Sequence, residues 1–262
     1  MEFLAILLLL IGLPFTYTQI ESKKIENKYP PLGYFKNIDG FNTHYTDIGS
    51  GQPVVLLHSQ PANERQFDLL KDLLKKDYRV ISIDRPGMGY SDGPTINSSE
   101  RLFNQARIIS KLIKEITDEK PIIIGHSYGG ALALSVALYE EENLKKLILV
   151  NTVSHPWKSD DIWLPFNIIT NPYIGKFFSN TYAMIYGKSV IDRSADDNFP
   201  DNNPTPEFIS RVGGELTLRP RVLESYALDA INLRLSLSQQ YENYERITSL
   251  KPKLDLGDTL RS

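Results

Sequence analysis

The chain has 262 residues, of which 41% are hydrophobic and 23% are charged, and its formal net charge at pH 7 is −3. This length suits one large α/β domain or two small ones, and the apolar content excludes wholesale disorder. The slight acidity argues against a nucleic-acid partner, and the absence of cysteine excludes disulfides, thiolate nucleophiles and iron–sulfur clusters. The four histidines all lie in the first 155 residues: His44, His58, His126 and His155.

The N-terminal segment is apolar without interruption from Phe3 to Leu13 and carries no charge from Phe3 to Ile20. Such a run is typical of the hydrophobic region of a signal peptide, and a short uncleaved membrane anchor is the competing interpretation. We therefore expect residues 1–20 to be a signal peptide or membrane anchor and the protein to be exported or membrane-anchored. A buried helix of the folded domain is the alternative. Residues 21–33 are polar and contain two prolines, which predicts a linker.

Short aliphatic runs alternate with helical periodicity from residue 34 to residue 155. The predicted strands are Tyr34–Asn37, Asn42–Asp47, Pro53–Leu57, Arg79–Ile83, Pro121–Ile124 and Leu147–Val150. The predicted helices are Gln66–Lys76, Ser99–Thr117 and Ala131–Tyr139. This alternation predicts an α/β fold, with a mostly parallel sheet flanked by helices, for a core spanning residues 34–155.

The pattern changes between residues 156 and 246, where strand runs disappear and prolines and aromatics increase. Helical stretches near residues 206–218 and 222–245 predict a helical insertion rather than more sheet, and the family resemblance described below implies that this insertion is a cap domain. Residues 247–262 are then expected to begin a return to the core.

The strongest chemical motif is Gly125-His-Ser-Tyr-Gly-Gly130, which follows one predicted strand and precedes a predicted helix. This is the context of a G-x-S-x-G nucleophile elbow, in which the serine sits on a turn too tight for side chains at its neighbours. The N-terminus of the following helix presents backbone N–H groups that stabilise the oxyanion of an acyl intermediate. The motif therefore predicts Ser127 as a nucleophile, against the alternative of an ordinary glycine-rich turn.

Three stretches together resemble the α/β-hydrolase fold superfamily, in particular its cap-bearing, esterase-like serine hydrolases. They are Val54-Val-Leu-Leu-His-Ser-Gln-Pro61, Asp84-Arg-Pro-Gly-Met-Gly-Tyr-Ser91 and the elbow. The resemblance implies that the backbone N–H groups of Gln60 and Tyr128 form the oxyanion hole. It also implies that His58 anchors the oxyanion loop, although the family usually has glycine where this chain has Ser59.

Serine at the elbow implies acyl transfer to water, whereas relatives that open epoxides or displace halide use aspartate there. The expected substrate is a small molecule with an ester-like bond, and the resemblance implies no metal or organic cofactor. Neither the substrate nor the oligomeric state follows from the sequence.

The catalytic acid and base of the superfamily follow the nucleophile in the order acid, then histidine. No histidine follows His155, and Asp258 is the candidate for the acid. His155 is expected to have a structural or cap role, with substitution for the missing base as the alternative, since it follows the strand ending at Val150 at the sheet edge where ligands bind. Asn151, where some relatives keep their acid, cannot ionise.

We therefore expect a member of the superfamily that lacks its C-terminal strands and helices, which would leave Leu147–Val150 as an apolar sheet edge. The alternative function is a catalytically impaired relative, or a fragment, that binds a small apolar ligand or a partner.

Overall fold

A computed structural model of the protein describes residues 6, 8–158, 164–182, 184–187 and 210–248. A six-stranded sheet in the order β1-β2-β4-β3-β5-β6 forms its centre. The two pairings that involve β2 are antiparallel and the other three are parallel. The strands are β1 (Tyr34–Ile38), β2 (Phe41–Gly49), β3 (Pro53–Leu57), β4 (Arg79–Ile83), β5 (Ile122–His126) and β6 (Lys146–Val150).

Seven α-helices with defined bounds occur in the described residues. They are α1 (Leu13–Lys28), α2 (Asp68–Leu74), α3 (Arg101–Ile116), α4 (Tyr128–Glu140), α5 (Leu164–Ile169), α6 (Gly175–Thr181) and α7 (Pro220–Gln240). The mostly parallel sheet and its flanking helices confirm the predicted fold class. Each of the six predicted strands is present, with ends shifted by two residues or fewer.

The central strands β3 and β4 are buried because helices cover them. All five residues of β3 are buried, and the apolar faces of α3 and α4 pack on the sheet in one continuous core. Leu102, Ile109 and Leu112 of α3 contribute to this core at helical spacing, as their periodicity predicts. The apolar residues that define the helical spacing in the sequence are therefore the residues that pack in the core.

The N-terminal segment folds back onto the rest of the protein. A π-helical turn at Leu8–Gly12 leads directly into α1, whose first turn accommodates Pro14 because a proline there costs no helical hydrogen bond. The linker predicted at residues 21–33 is wrong in its first part, because α1 continues to Lys28. Its buried residues Thr18 and Ile25 are seven apart, so one stripe of the helix packs against its neighbours and stabilises the helix. Across the described residues, no helix combines the length and the apolarity that a membrane crossing requires.

The region after residue 156 is helical where it is described. Its longest helix, α7, lies against α3, α5 and α6 and contributes Leu233 and Leu237 to the main core. Most of the predicted 222–245 helix therefore coincides with α7, which begins at Pro220. The predicted helical stretch near 206–218 is described only from residue 210, and it ends in a short 3-10 helix, Gly214–Leu218. Residues 249–262, including Asp258, lie outside the described residues.

The strand β6 forms the edge of the described sheet, where it pairs with β5 alone. Leu149 and Val150 are 41% and 46% exposed. The apolar edge predicted at Leu147–Val150 is thus present in the described part of the chain.

Candidate active site

The turn between β5 and α4 holds Ser127 in a backbone conformation that side chains rarely adopt. Its φ is 53° and its ψ is −117°, and its N–H donates to the carbonyl of Val150 at 3.0 Å. A non-glycine residue with positive φ is strained, and such strain concentrates at functional sites. The chain leaves the sheet here and enters the helix within one residue, which holds the serine at the carboxyl ends of the parallel strands.

Close packing surrounds three glycines near Ser127, with backbone against Gly125 and Gly129 and a side chain against Gly130. A Cβ at Gly125 would lie 2.5 Å from the carbonyl oxygen of Gly129. A Cβ at Gly129 would lie 2.1 Å from the carbonyl oxygen of Leu57, and one at Gly130 would meet the side chain of Thr152 at 2.0 Å. At Gly125 and Gly129 the obstacle is backbone, so a side chain there would force the turn to move, whereas at Gly130 the Thr152 side chain would have to move instead. The glycine pattern of the motif therefore has a steric cause in this structure.

The two predicted oxyanion donors lie on different elements. Tyr128 begins α4, so its N–H belongs to the first helical turn, where backbone donors have no intrahelical acceptor. Gln60 lies in the loop after β3, before a cis peptide bond to Pro61. Its side-chain amide donates to the Tyr226 carbonyl of α7 at 2.9 Å, which joins this loop to the cap.

The loop that carries Gln60 is anchored by buried side chains. The N–H of Ser59 donates to Gln66 Oε1 at 2.8 Å, and Gln66 Nε2 donates back to Ser59 Oγ at 2.8 Å. The ring of His58 is fully buried and accepts the N–H of Arg85 at Nε2, at 3.0 Å. Its Nδ1 lies 2.8 Å from the Ser59 carbonyl, so Nδ1 carries the proton and donates there.

Burial and the nearby Arg85 charge lower the pKa of His58 to about 3, so the ring is neutral at physiological pH. A neutral ring with both nitrogens occupied in the loop has no capacity left to act on Ser127. The predicted anchoring role of His58 is confirmed.

A buried charged cluster ties this loop to the cap helix. The guanidinium of Arg85 donates to the carbonyls of His58 and Ser59 at 3.0 and 3.2 Å, and lies 3.2 Å from the Asp229 carboxylate. It also lies 4.1 Å from the centre of the Tyr128 ring. One arginine therefore contacts both the loop of Gln60 and the residue that provides the second predicted donor.

Asp229 also accepts from Arg101 Nε at 2.6 Å and from Gln105 Nε2 at 2.7 Å. Asp229 and Arg85 are fully buried and Arg101 is 1% exposed, so one carboxylate in α7 balances two guanidinium groups from the core. The sequence prediction missed Asp229. A signal existed, because Asp229 lies four residues before Leu233 and seven after Val222, on the buried stripe of its helix.

The other histidine rings of the described residues contact groups other than the Ser127 hydroxyl. In the described residues, no histidine ring is hydrogen-bonded to the Ser127 hydroxyl. His126 Nδ1 lies 3.3 Å from Gln66 Nε2, and burial lowers the pKa of His126. The exposed ring of His155 lies beside Tyr241 and Tyr244, with centroids 5.9 and 6.0 Å away.

The structure therefore places Ser127 and Tyr128 next to each other in the turn between β5 and α4. Gln60 lies on the anchored loop that follows β3, the strand that pairs with β5. Asn151 is exposed and has a φ of 44° just beyond β6. The candidate acid Asp258 lies outside the described residues, so its position relative to Ser127 stays a prediction.

The comparison with protein families identifies one match, to the α/β-hydrolase fold model, over residues 52–184. This range contains the loop of Gln60, the Asp84-Arg85 turn and the turn that holds Ser127.

Curated relatives include the AB hydrolase superfamily protein YfhM of Bacillus subtilis, which is 38% identical over 125 residues. That alignment covers 47% of this chain and 43% of YfhM, so the chain spans less than half the length of this relative. A 2-hydroxy-6-oxononadienedioate/2-hydroxy-6-oxononatrienedioate hydrolase of Comamonas testosteroni is 26% identical over 211 residues, which are 77% of this chain and 69% of that enzyme.

Solved structures with the same fold include a meta-cleavage product hydrolase, with a TM-score of 0.57 and 25% identity, over 80% of this chain and 73% of that one. A thermophilic esterase from Thermogutta terrifontis has a TM-score of 0.61 and 20% identity, over 77% and 72% of the two chains. At this identity the esterase supports the fold alone.

Proposed function

Because the chain belongs to the α/β-hydrolase fold family, we propose that it is a serine hydrolase that transfers the acyl group of a small ester-like substrate to water. Ser127 is the nucleophile in this proposal, and the N–H groups of Gln60 and Tyr128 bind the oxyanion. The coarser part of the proposal, hydrolysis of a small molecule, is supported by the similarity to the two hydrolases named above.

The observation that carries the proposal is the strained position of Ser127 between β5 and the first turn of α4. In the proposed reaction, Ser127 Oγ attacks the substrate carbonyl carbon and the carbonyl electron pair moves onto oxygen. The oxyanion is stabilised by backbone donors held in place before the reaction begins. Its collapse breaks the bond to the leaving group, which departs with the proton that the Ser127 hydroxyl gave up. Water then attacks the acyl carbon, the acid is released with the hydroxyl of that water, and the remaining proton of the water restores the serine hydroxyl.

The nucleophile type narrows the substrate class. An epoxide hydrolase of Corynebacterium is 27% identical to this chain over 135 residues. Serine at the elbow favours a carbonyl substrate over an epoxide, because an alkyl-serine ether formed by epoxide opening has no carbonyl carbon for water to attack. We therefore propose esters, thioesters or related acyl compounds.

A second candidate function is binding of a small apolar ligand without turnover. The observation in its favour is that no histidine of the described residues is hydrogen-bonded to Ser127. A serine hydroxyl is a weak nucleophile unless a base takes its proton. Asp258 stays the candidate for the catalytic acid, and its role in activating Ser127 is a prediction.

Labelling with a fluorophosphonate, followed by mass spectrometry of the modified peptide, tests the nucleophile directly. We expect modification of Ser127 and turnover of p-nitrophenyl esters, with both lost in Ser127→Ala. Ser98→Ala is the matched control, since this partly exposed serine lies outside the site and should leave both signals unchanged.

A folded protein with neither labelling nor turnover would contradict the hydrolase proposal and favour the binding function. Modification at a serine other than Ser127 would contradict the assignment of the nucleophile.

A further inference from the structure

The side chain of Gln66 connects two segments of the candidate active site. Gln66 belongs to the 3-10 helix Glu64–Phe67, which follows the loop of Gln60 and leads into α2. Its Oε1 accepts the N–H of Ser59 at 2.8 Å. Its Nε2 donates to Ser59 Oγ at 2.8 Å and lies 3.3 Å from His126 Nδ1. Since Ser59 precedes one proposed oxyanion donor and His126 precedes the proposed nucleophile, one amide reaches both segments.

These contacts fix the orientation of the Gln66 amide. A glutamine amide has one acceptor oxygen and an NH2 group with two hydrogens. The oxygen faces the N–H of Ser59, so the NH2 group faces the Ser59 hydroxyl and the ring of His126. Burial lowers the pKa of His126, so its ring is mostly neutral near pH 7 and Nδ1 can accept a hydrogen bond. A flipped amide would turn its NH2 group toward the Ser59 N–H, so one orientation satisfies both neighbours.

The peptide bond between Ser59 and Gln60 contains both the Ser59 carbonyl and the N–H that is proposed to bind the oxyanion. This bond is trans, so its carbonyl and its N–H point in opposite directions. The carbonyl accepts from Arg85 Nη2 at 3.2 Å and from His58 Nδ1 at 2.8 Å, and both of these side chains are buried. The Gln60 N–H therefore points away from the buried Arg85, and its direction depends on how Ser59 is held.

Gln66 holds the other end of Ser59. The N–H of Ser59 is bound by Gln66 and its carbonyl by Arg85, so the residue is fixed on both sides. Ser59 is only 9% exposed, so its hydroxyl needs a partner within the protein, and Gln66 provides one. The φ of Ser59 is not positive, so the backbone here does not require glycine. Gln66 thus accommodates a serine at the position where the family usually has glycine.

From these contacts we propose that Gln66 is a positioning residue, which orients the Gln60 N–H and fixes its loop relative to the turn that holds Ser127. This inference rests on the proposed hydrolase function. Gln66 does not touch the substrate in this role, because it acts through Ser59 on one side and through His126 on the other. A displaced oxyanion donor weakens binding of the transition state more than binding of the substrate. Loss of the Gln66 contacts should therefore lower kcat and leave KM nearly unchanged.

Replacement of Gln66 by methionine removes the polar contacts and preserves the length of the side chain. We expect Gln66→Met to turn over p-nitrophenyl acetate, and to react with a fluorophosphonate at Ser127, about 10- to 100-fold more slowly than the unmodified chain. The matched control is Gln52→Met, at the other end of β3, where Gln52 Nε2 donates to the Lys120 carbonyl at 2.8 Å. This control should leave both rates unchanged. Circular dichroism establishes that each variant folds.

His126 provides a second test, in which Gln66 itself is unchanged. His126→Asn keeps a polar atom near the position of Nδ1, whereas His126→Ala leaves one hydrogen of the Gln66 amide without its partner. We expect the alanine variant to react about 3- to 10-fold more slowly and the asparagine variant to recover most of that loss. If Gln66→Met does not fold, this pair tests the role by itself, and equal rates for the two variants would contradict it.

Hydrogen exchange of the Ser59 amide, followed by NMR, measures the same contact without turnover. Exchange should become faster in Gln66→Met, because the N–H loses its acceptor, and should stay the same in Gln52→Met. An unmodified chain that the fluorophosphonate does not label would contradict the hydrolase proposal, and this role with it. Labelling of Gln66→Met as fast as of Gln52→Met, or unchanged exchange at Ser59, would overturn the present inference alone.

Discussion

The two strands beside β5 have similar sequences and opposite surroundings. Pro-Val-Val-Leu-Leu in β3 is completely buried, between β4 and β5 and beneath helices. Lys-Leu-Ile-Leu-Val in β6 pairs on one side only within the described sheet, and its last two residues are exposed. The difference shows that an aliphatic run specifies a strand, whereas its neighbours in the sheet decide how much of it is buried.

The largest expected effect concerns the buried carboxylate of Asp229 in the interior of the protein. Asp229→Asn should lower the free energy of unfolding by about 3–5 kcal/mol, because it leaves two buried guanidinium groups without a counter-charge. The matched control is Glu115→Gln, which removes an exposed partner of Lys36 at 3.0 Å and should cost about 1 kcal/mol or less. Urea denaturation measures both values. A loss below about 1 kcal/mol for Asp229→Asn would show that the cluster tolerates its excess positive charge.

The two strands themselves provide the next test. Leu56→Ala in β3 should cost about 2–5 kcal/mol, since the side chain is 0% exposed and its removal leaves a cavity. Leu149→Ala in β6 should cost about 1 kcal/mol or less, because 41% of that residue already contacts solvent. Thermal or urea unfolding compares the pair. If the two losses are equal, β6 is covered in solution and the contrast between the strands disappears.

The smallest expected effect concerns the buried ion pair between His44 of β2 and Asp84. His44 Nδ1 lies 2.7 Å from Asp84, and Nε2 lies 2.6 Å from the Leu32 carbonyl. Both partners are acceptors, so both ring nitrogens donate only when His44 is protonated. Burial by itself lowers the pKa of His44, but the Asp84 carboxylate and the Leu32 carbonyl outweigh burial and raise it above 6.5.

Because the folded pKa of His44 exceeds the unfolded value, its contribution to stability is complete below about pH 6.5 and is lost as pH rises through the folded pKa. The loss of one hydrogen bond is on the order of 1 kcal/mol. Unfolding free energies measured from pH 6 upward should show this decline, and His44→Gln should abolish it. A decline of the same size in the variant would assign the effect to another group.

Much of the fold follows from local pattern. The strands Pro53–Leu57 and Arg79–Ile83 have the predicted bounds, because short aliphatic runs between helical segments have one favourable arrangement in an α/β sheet. The elbow is a local motif, and the contact between Gly125 and Gly129 lies within it, although the contacts at Gly129 and Gly130 also involve Leu57 and Thr152. His58 as a loop anchor followed from the family resemblance.

Other features depend on contacts between distant parts of the chain. In the buried charged cluster, Arg85 pairs with Asp229, which lies 144 residues later in the chain, and no local sequence pattern predicts that the two residues pair. The helical residues 21–28 look like a linker by composition, yet packing on the cap stabilises them as a helix.

The sequence by itself determined the α/β fold and the turn that presents Ser127, because both depend on hydrophobic periodicity and on the steric needs of neighbouring residues. Only the tertiary structure decided which charged groups are buried together, which strand remains exposed and which side of α1 faces outward. These depend on the free energy of contacts between elements that are far apart in the chain, and that free energy exists only once the elements have packed.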